Sequence, residues 1–314
     1  MYKKITMFIQ DLFISYYDYR PFKNSLLNKV CGNATKIGAC VGQYILPLWF
    51  KAFPCWKISN SQKENVVVCL TSFPRRIGVV WLVIECLMRQ SIHASCIVLY
   101  LSKKQFTENT LPKRLQEYQR RGILKIRLVD EDIRSHKKYW YAISEYPGMS
   151  IITVDDDIIY SSDTIKDLVE GSKKYPGSVI SRYSSKICYD LNGDVLPYSE
   201  WKGYLHVGDK GKNIFFGSGG GTLFPAGCLN EANQPYEIIK TVCPLADDIW
   251  LNAYIRYNGF DVVCVHRNAG VPEWHIEHNQ KLCYVNGELK RNDVQLFDVI
   301  RYFEEKYSSN PFSL

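Results

Sequence analysis

Ser150-Ile151-Ile152-Thr153-Val154-Asp155-Asp156-Asp157-Ile158-Ile159-Tyr160 runs an apolar, β-branched segment straight into three consecutive carboxylates. The apolar half predicts a buried strand, and in open α/β sheets ligands bind beyond the carboxyl ends of strands. Three adjacent acids repel one another, so some take up protons unless a cation neutralises them. Side chains alternate faces along a strand. Continued through the acids, that alternation puts Asp155 and Asp157 on one side, with Asp156 opposite or against the backbone. Such a pair offers hard oxygen ligands suited to Mg2+ or Mn2+, with positions left for phosphate oxygens. The plainer alternative is an acidic turn that closes a strand.

Outward from this segment the chain keeps a β-α-β rhythm. Val66 to Leu70 is a short apolar strand, and Ile77 to Gln90 has helical spacing, with apolar residues at 80, 83, 84, 87 and 88. Cys96 to Leu101 is a second strand. Pro112 to Arg121 is a helix with proline at its start and Gly122 as its stop. Leu124 to Val129 is a third strand, Tyr139 to Glu145 a helical turn, Ile151 to Val154 the fourth strand, and Ser162 to Lys174 a helix after it. Strands alternating with helices predict an α/β fold, a Rossmann-like, mostly parallel sheet with right-handed crossovers and flanking helices. Past Pro176 the rhythm loosens, and 182–222 reads as loops with short strands. A helix from Asp247 to Tyr257, a strand from Phe260 to Val265 and an amphipathic helix from Val294 to Tyr307 follow. This divides the chain into an apolar and basic extension (1–63), a main domain (64–285) and a C-terminal helix with its tail (286–314). Ser59-Asn60-Ser61-Gln62-Lys63-Glu64 reads as the linker between the first two.

The chain has 314 residues, 46% of them apolar, so a sizeable core is expected. Aromatic content is 14%, with 22 Tyr, and suits the binding of sugars or bases equally. The net charge of +7 comes without a dense Lys/Arg block, so nucleic acid is not an expected partner. Anionic lipid or a nucleotide phosphate fits the excess. Eleven scattered Cys, an odd number without a CxxC pair, predict reduced thiols in a cytoplasmic protein. No run of 18 apolar residues predicts a spanning helix. The N-terminal apolar run is broken by Asp11 and has no small-residue cleavage site, so no signal peptide is expected. Within 1–63, Trp49, Phe50, Phe53 and Trp56 beside Lys51 and Lys57 suit a membrane interface, peripheral on the inner face of the cell membrane. A helical cap on the main domain explains the same residues equally well.

Four further segments carry chemistry. Thr71-Ser72-Phe73-Pro74-Arg75-Arg76 ends the first strand, where Thr71, Ser72 and Arg75 suit a phosphate or nucleoside; the alternative is a helix cap with solvated arginines. Ser135-His136-Lys137-Lys138-Tyr139 opens a helix with two lysines that can reach diphosphate oxygens or can simply be solvated. Gly217-Ser218-Gly219-Gly220-Gly221-Thr222 lets backbone approach a ligand closely, or is a mobile loop. Asp247 and Asp248 open a helix, where the dipole favours carboxylates. As a capping pair they need no further role, and as a general base one of them needs burial to oppose that dipole. His275 and His278, spaced i, i+3, share a helix face; His275 is a candidate metal ligand, and two surface histidines are the alternative.

Taken in order, TSFPRRI, MRQS, IVLYLS, LPKRL, SHKKY, ITVDDDIIY, GSGGGTLFP and ADDIWL resemble the GT-A class of nucleotide-sugar glycosyltransferases, specifically bacterial enzymes grouped loosely with family 2, over about residues 65–265. The resemblance implies a DxD metal motif at Asp155 and Asp157, with Mn2+ or Mg2+ as cofactor, and a donor site comprising Thr71 to Arg75, Lys138, Asp155 and Asp156. It implies an acceptor-side loop at 217–221 and a base at Asp247 or Asp248. A hexosyltransferase is thereby expected, moving sugar from a nucleotide-diphosphate donor to a glycan or lipid-linked acceptor in surface polysaccharide synthesis, with inversion. Two rival readings stand beside it. A haloacid-dehalogenase-like phosphatase also uses a strand-borne acid pair with Mg2+, but it expects DxDxT on an early strand, where this chain has Ile159 and a fourth strand. A non-catalytic sugar-binding or assembly protein is compatible with the aromatics.

Overall fold

In the computed structural model, which describes residues 2–14, 25–56, 63–201, 205–266, 274 and 291–314, helices α1 (Tyr2–Ile14) and α2 (Ser25–Ala52) precede strand β1 (Lys63–Thr71). Strands and helices then alternate: α3 (Val80–Met88), β2 (His93–Ser102), α4 (Lys113–Arg120), β3 (Leu124–Val129), α5 (Lys137–Glu145), β4 (Ser150–Thr153), α6 (Thr164–Lys174) and β5 (Val179–Ser181). After these come β6 (Ser184–Lys186), β7 (Lys210–Gly211), β8 (Ile214–Phe216), β9 (Thr222–Phe224), α7 (Tyr236–Val242), α8 (Asp247–Tyr257), β10 (Val262–Cys264) and α9 (Arg291–Tyr307).

Eight strands form one sheet in the order β3-β2-β1-β4-β9-β5-β10-β7. Pairing makes β1 to β5 and β10 run one way, with β9 and β7 opposed. The protein is thus an α/β fold on a mostly parallel sheet flanked by helices, as its alternating pattern predicts. The strands read as continuous apolar runs because both faces are covered. Val66, Val68 and Leu70 of β1 enter one core with α3, α4 and α6, while Val67 and Cys69 enter the other with α5, α8 and α9. β2 divides likewise, with Ile97, Leu99 and Leu101 on the first face and Val98 and Tyr100 on the second. This is the two-residue period of a strand expressed as two helical layers.

β9 was not legible as a strand. It pairs antiparallel with β4 (Ile151 opposite Phe224, Thr153 opposite Thr222) and with β5. Three residues are too few to show a period, yet this insertion carries the glycine run to the end of β4.

The N-terminal helices dock on the main domain. Leu46 and Phe50 of α2 are fully buried, and the Arg89 guanidinium lies 4.3 Å from the Phe50 ring centroid. Arg89 donates to Phe53 O, and Arg114 to Phe50 O at 3.0 Å. Fully buried Glu85 accepts from Arg89, from the Tyr118 hydroxyl and from Arg114 at 2.7 Å. On α1, Gln10 donates to Tyr160 O, and Asp11 accepts from the Ser162 N–H at 2.8 Å. Residues of the extension therefore do cap the domain. The expected linker is corrected at its end: Lys63 and Glu64 already belong to β1, and 57–62 lie outside the described residues.

Candidate active site

The acids do not continue the strand. The β4 ladder ends where Thr153 meets Cys69, and the Val154 N–H closes it on Cys69 O at 3.1 Å. The chain then turns, so alternation no longer governs where the carboxylates go. Asp156 and Asp157 lie together on Arg76, at 2.9 and 2.8 Å, whereas Asp155 goes to Lys138 at 2.7 Å. The strand alternation expected to set Asp155 and Asp157 against Asp156 therefore does not apply, and all three carboxylates line one cavity.

That cavity, of about 600 Å3, opens at the carboxyl ends of β1 and β4. On one side stand Thr71, Ser72 and Arg76. The Thr71 hydroxyl donates to Tyr100 O at 2.8 Å, and the Ser72 hydroxyl to Asp156 at 2.6 Å. Arg75, the arginine singled out from the sequence, is exposed and absent from the cavity lining. A turn closed by the Arg76 N–H on Phe73 O (2.9 Å) sends it outward and brings Arg76 back onto the acids. Burial opposes the Arg76 charge, but Asp156 and Asp157 outweigh it and raise its pKa. Burial also raises the Asp156 pKa, against the pull of Arg76 and Ser72.

The other side is built by α5, the glycine run and α8. Lys138 is almost wholly buried, its Nζ 2.7 Å from Asp155 Oδ1 and 2.9 Å from Asp247 Oδ2. Burial disfavours its charge, yet Asp155, Asp247 and Asp248 together raise its pKa. Its neighbour Lys137 pairs with Asp132. Neither lysine is solvated, as one reading of the sequence had them.

Ser218 fixes the acid pair on α8. Its backbone N–H donates to Asp248 Oδ1 and its hydroxyl to Asp247 Oδ2, both at 2.7 Å. Asn252, one turn on, donates to Phe216 O at 2.9 Å and accepts from the Phe216 N–H at 3.2 Å, tying α8 to β8. The two carboxyls diverge in character. Burial pushes Asp247 up, but Lys138, His136 and Ser218 outweigh it and hold the pKa at about 2. Burial and the Asp247 charge push Asp248 up to about 7. His136 donates from Nε2 to Cys243 O (2.8 Å) and accepts at Nδ1 from the Tyr139 hydroxyl (2.7 Å). Burial lowers its pKa to about 4, so it is neutral at pH 7.

The glycines are steric necessities rather than a mobile loop. A Cβ on Gly219 would stand 1.8 Å from Asp155 Oδ2, and one on Gly220 2.2 Å from the Tyr183 Cβ. Tyr183, Tyr198 and Phe215 face the same cavity, and Trp201 packs on Phe215 with centroids 5.1 Å apart. Arg134, which the sequence did not mark, also lines the cavity at φ 51, a backbone region uncommon for a residue other than glycine. It is exposed and forms no ion pair among the described residues. His275 and His278 lie outside the described residues.

Among the described residues no three His, Cys, Asp or Glu side chains converge as a ready-made metal cage. The donor set nevertheless fits a hard divalent cation. Asp155, Asp156, Asp157 and Asp247 all line the cavity, and Arg76 and Lys138 form ion pairs with them. The Asp155 side chain is 41% exposed, with one oxygen given to Lys138.

No protein-family profile matches the chain, and no curated protein matches it. Solved structures do. The 1–349 fragment of S. aureus TarS gives a TM-score of 0.46 at 14% identity, covering 79% of this chain and 74% of that one. The same fragment in complex with UDP gives 0.43 at 14% identity over the same shares. A 4-diphosphocytidyl-2C-methyl-D-erythritol synthase gives 0.44 at 10% identity, covering 72% of this chain and 100% of that one.

Proposed function

We propose that the protein is a glycosyltransferase of the GT-A type that takes its sugar from a nucleoside-diphosphate donor. One observation carries this reading: a single cavity holds a strand-end acid cluster and, joined to it through Lys138, an acid pair in which burial and the Asp247 charge raise the pKa of Asp248. Glycosyl transfer needs both a place for a charged leaving group and a base for the acceptor hydroxyl.

In this reading the nucleoside diphosphate lies over Thr71, Ser72 and the acid cluster, and Arg134 reaches its phosphate oxygens. Asp155 and Asp157 would hold Mn2+ or Mg2+, whose bound ion supplies Lewis-acid stabilisation of the departing diphosphate. Asp248 takes the proton from the acceptor hydroxyl as that oxygen attacks the anomeric carbon. The bond to the diphosphate oxygen breaks with its electron pair leaving on the diphosphate, and direct displacement inverts the centre. Asp247, kept ionised by Lys138, raises the basicity of Asp248 and is not itself the base. Tyr183, Tyr198 and Phe215 offer ring faces to the acceptor glycan. A hexosyl donor and a glycan or lipid-linked acceptor of surface polysaccharide synthesis complete the reading.

The test is incubation with a panel of nucleotide sugars, following free nucleoside diphosphate, with and without EDTA and then added Mn2+. Release from at least one donor, lost in EDTA and restored by the metal, is the expected result. A protein that releases no nucleoside diphosphate, and whose melting temperature no nucleotide raises, would leave the sugar-binding or assembly reading in its place. Release of inorganic phosphate from phosphate monoesters would favour the phosphatase.

A further inference from the structure

The docked face of α2 leaves the opposite face of that helix exposed. Ala39, Leu46 and Phe50 point into the protein, whereas Val30, Ile37, Val41, Ile45 and Leu48 are each at least 40% exposed. At 3.6 residues per turn these five fall within an arc of about 80°, roughly opposite the buried three. Phe8 of α1, 65% exposed, adds to the surface. The stripe runs along a 28-residue helix, about 40 Å at 1.5 Å per residue.

Charge is arranged with it. α2 contains no acidic residue, and its exposed Lys29, Lys36 and Lys51 fall along one edge of the stripe. Residues 1–57 hold eight Lys and Arg against two Asp, which is +6 of the chain's +7. One of those acids, Asp11, is already engaged by Ser162. Long apolar exposure is unusual on a surface that meets only water. A second copy of this face would bring like charges together, whereas an anionic lipid surface would neutralise them. Among the described residues no helix is long and apolar enough to cross a membrane, and the inner face of α2 is already spent on the protein.

We infer that α1 and α2 are an in-plane membrane anchor: the outer stripe sinks into the headgroup region of an anionic bilayer, the lysines along its edge meet lipid phosphates, and the inner face holds the cavity-bearing domain against that surface. The inference goes beyond the proposed reaction and does not depend on it, since burial of an apolar stripe and attraction to anionic lipid add whatever the domain does.

Sedimentation of the full chain with vesicles tests it. With phosphatidylcholine vesicles containing about a third phosphatidylglycerol the protein is expected to pellet, with pure phosphatidylcholine to stay in the supernatant, and with high salt to be released. Ile37→Glu/Leu48→Glu, at exposed positions, should lower the partition onto anionic vesicles at least about tenfold with an unchanged melting temperature. Lys29→Gln/Lys36→Gln, which leaves the apolar stripe intact, should weaken it as well and guards against a folding defect in the first variant. No pelleting of the full chain, equal pelleting on both lipids, or a dimer without lipid that Ile37→Glu/Leu48→Glu dissociates, would each overturn the inference.

Discussion

Lys138 Nζ lies 2.9 Å from Asp247 Oδ2 in a place almost closed to water, and the same nitrogen holds Asp155 at 2.7 Å. One ammonium thus joins the end of β4 to the start of α8. Removing one partner of a buried ion pair strands the other charge, at a cost of about 3–5 kcal/mol. Lys138→Met is therefore expected to lose stability on that scale in urea unfolding, and Asp247→Asn added to it should recover part of the loss. Because the Asp247 pKa is lowered in the fold, its contribution is present above the unfolded carboxyl value near ~4 and fades as pH falls through about 2. Additive losses in the two variants would show that the pair is not coupled.

Asp248 has the opposite sign. Its pKa is raised to about 7, so the base form grows as pH rises through neutrality, and kcat should climb over that interval. Asp248→Asn should lower kcat on the order of 10²–10⁴-fold. The fold holds the proton more tightly than the unfolded chain, so the stability linked to this group is present below pH ~4 and is lost as pH rises through about 7. Hence Asp248→Asn should be more stable than the parent at pH 8 while nearly inactive. Near-parental turnover by this variant with unchanged donor binding would assign the base to another residue.

Much of this was legible in the sequence because it rests on long patterns. The β-α-β rhythm from Val66 to Lys174 appears element for element, with ends displaced by up to three residues, since strands covered on both faces must be apolar throughout. The acid segments were visible as chemistry but not as geometry. Asp155, Asp156 and Asp157 sort by which cation each can reach after the turn, and Arg76 rather than Arg75 is that cation because of one backbone bond at Phe73. Ser218 was legible only as a member of the glycine run, not as the partner of Asp247 and Asp248. Its role exists only because β9 pairs with β4 and returns the chain beside α8.

Gly219→Ala places a methyl on the Asp155 carboxylate, where 1.8 Å separates the new Cβ from Oδ2. The carboxylate must leave Lys138 or the loop must lift from β4. Donor binding should weaken markedly in calorimetry while far-ultraviolet circular dichroism stays parental. Parental affinity would mean that Asp155 does not set the donor site.

Arg134→Ala should raise the KM for the donor several-fold and leave kcat nearly unchanged, because a phosphate contact made before and during the reaction is uniform binding. Arg134→Gly should match it in KM, since glycine accepts φ 51 without a steric penalty and the charge alone is then missing. A fall in kcat with KM intact would instead place this arginine on the transition state.

Phe50 separates capping from chemistry. Its ring is fully buried beneath Arg89, and its carbonyl takes Arg114, so it contributes both apolar area and the lid over Glu85. Phe50→Ala should cost about 3–5 kcal/mol, the usual range for emptying a buried aromatic site. Truncation to residue 63 should cost more, because it also bares the Glu85, Arg89 and Arg114 cluster, whose charges pack against α2. Phe50 belongs to α2 and is absent from the cavity lining, so the kcat/KM of the folded fraction of Phe50→Ala should equal the parent's. A truncated chain that melts at the parental temperature would show that the helices rest on the domain without stabilising it.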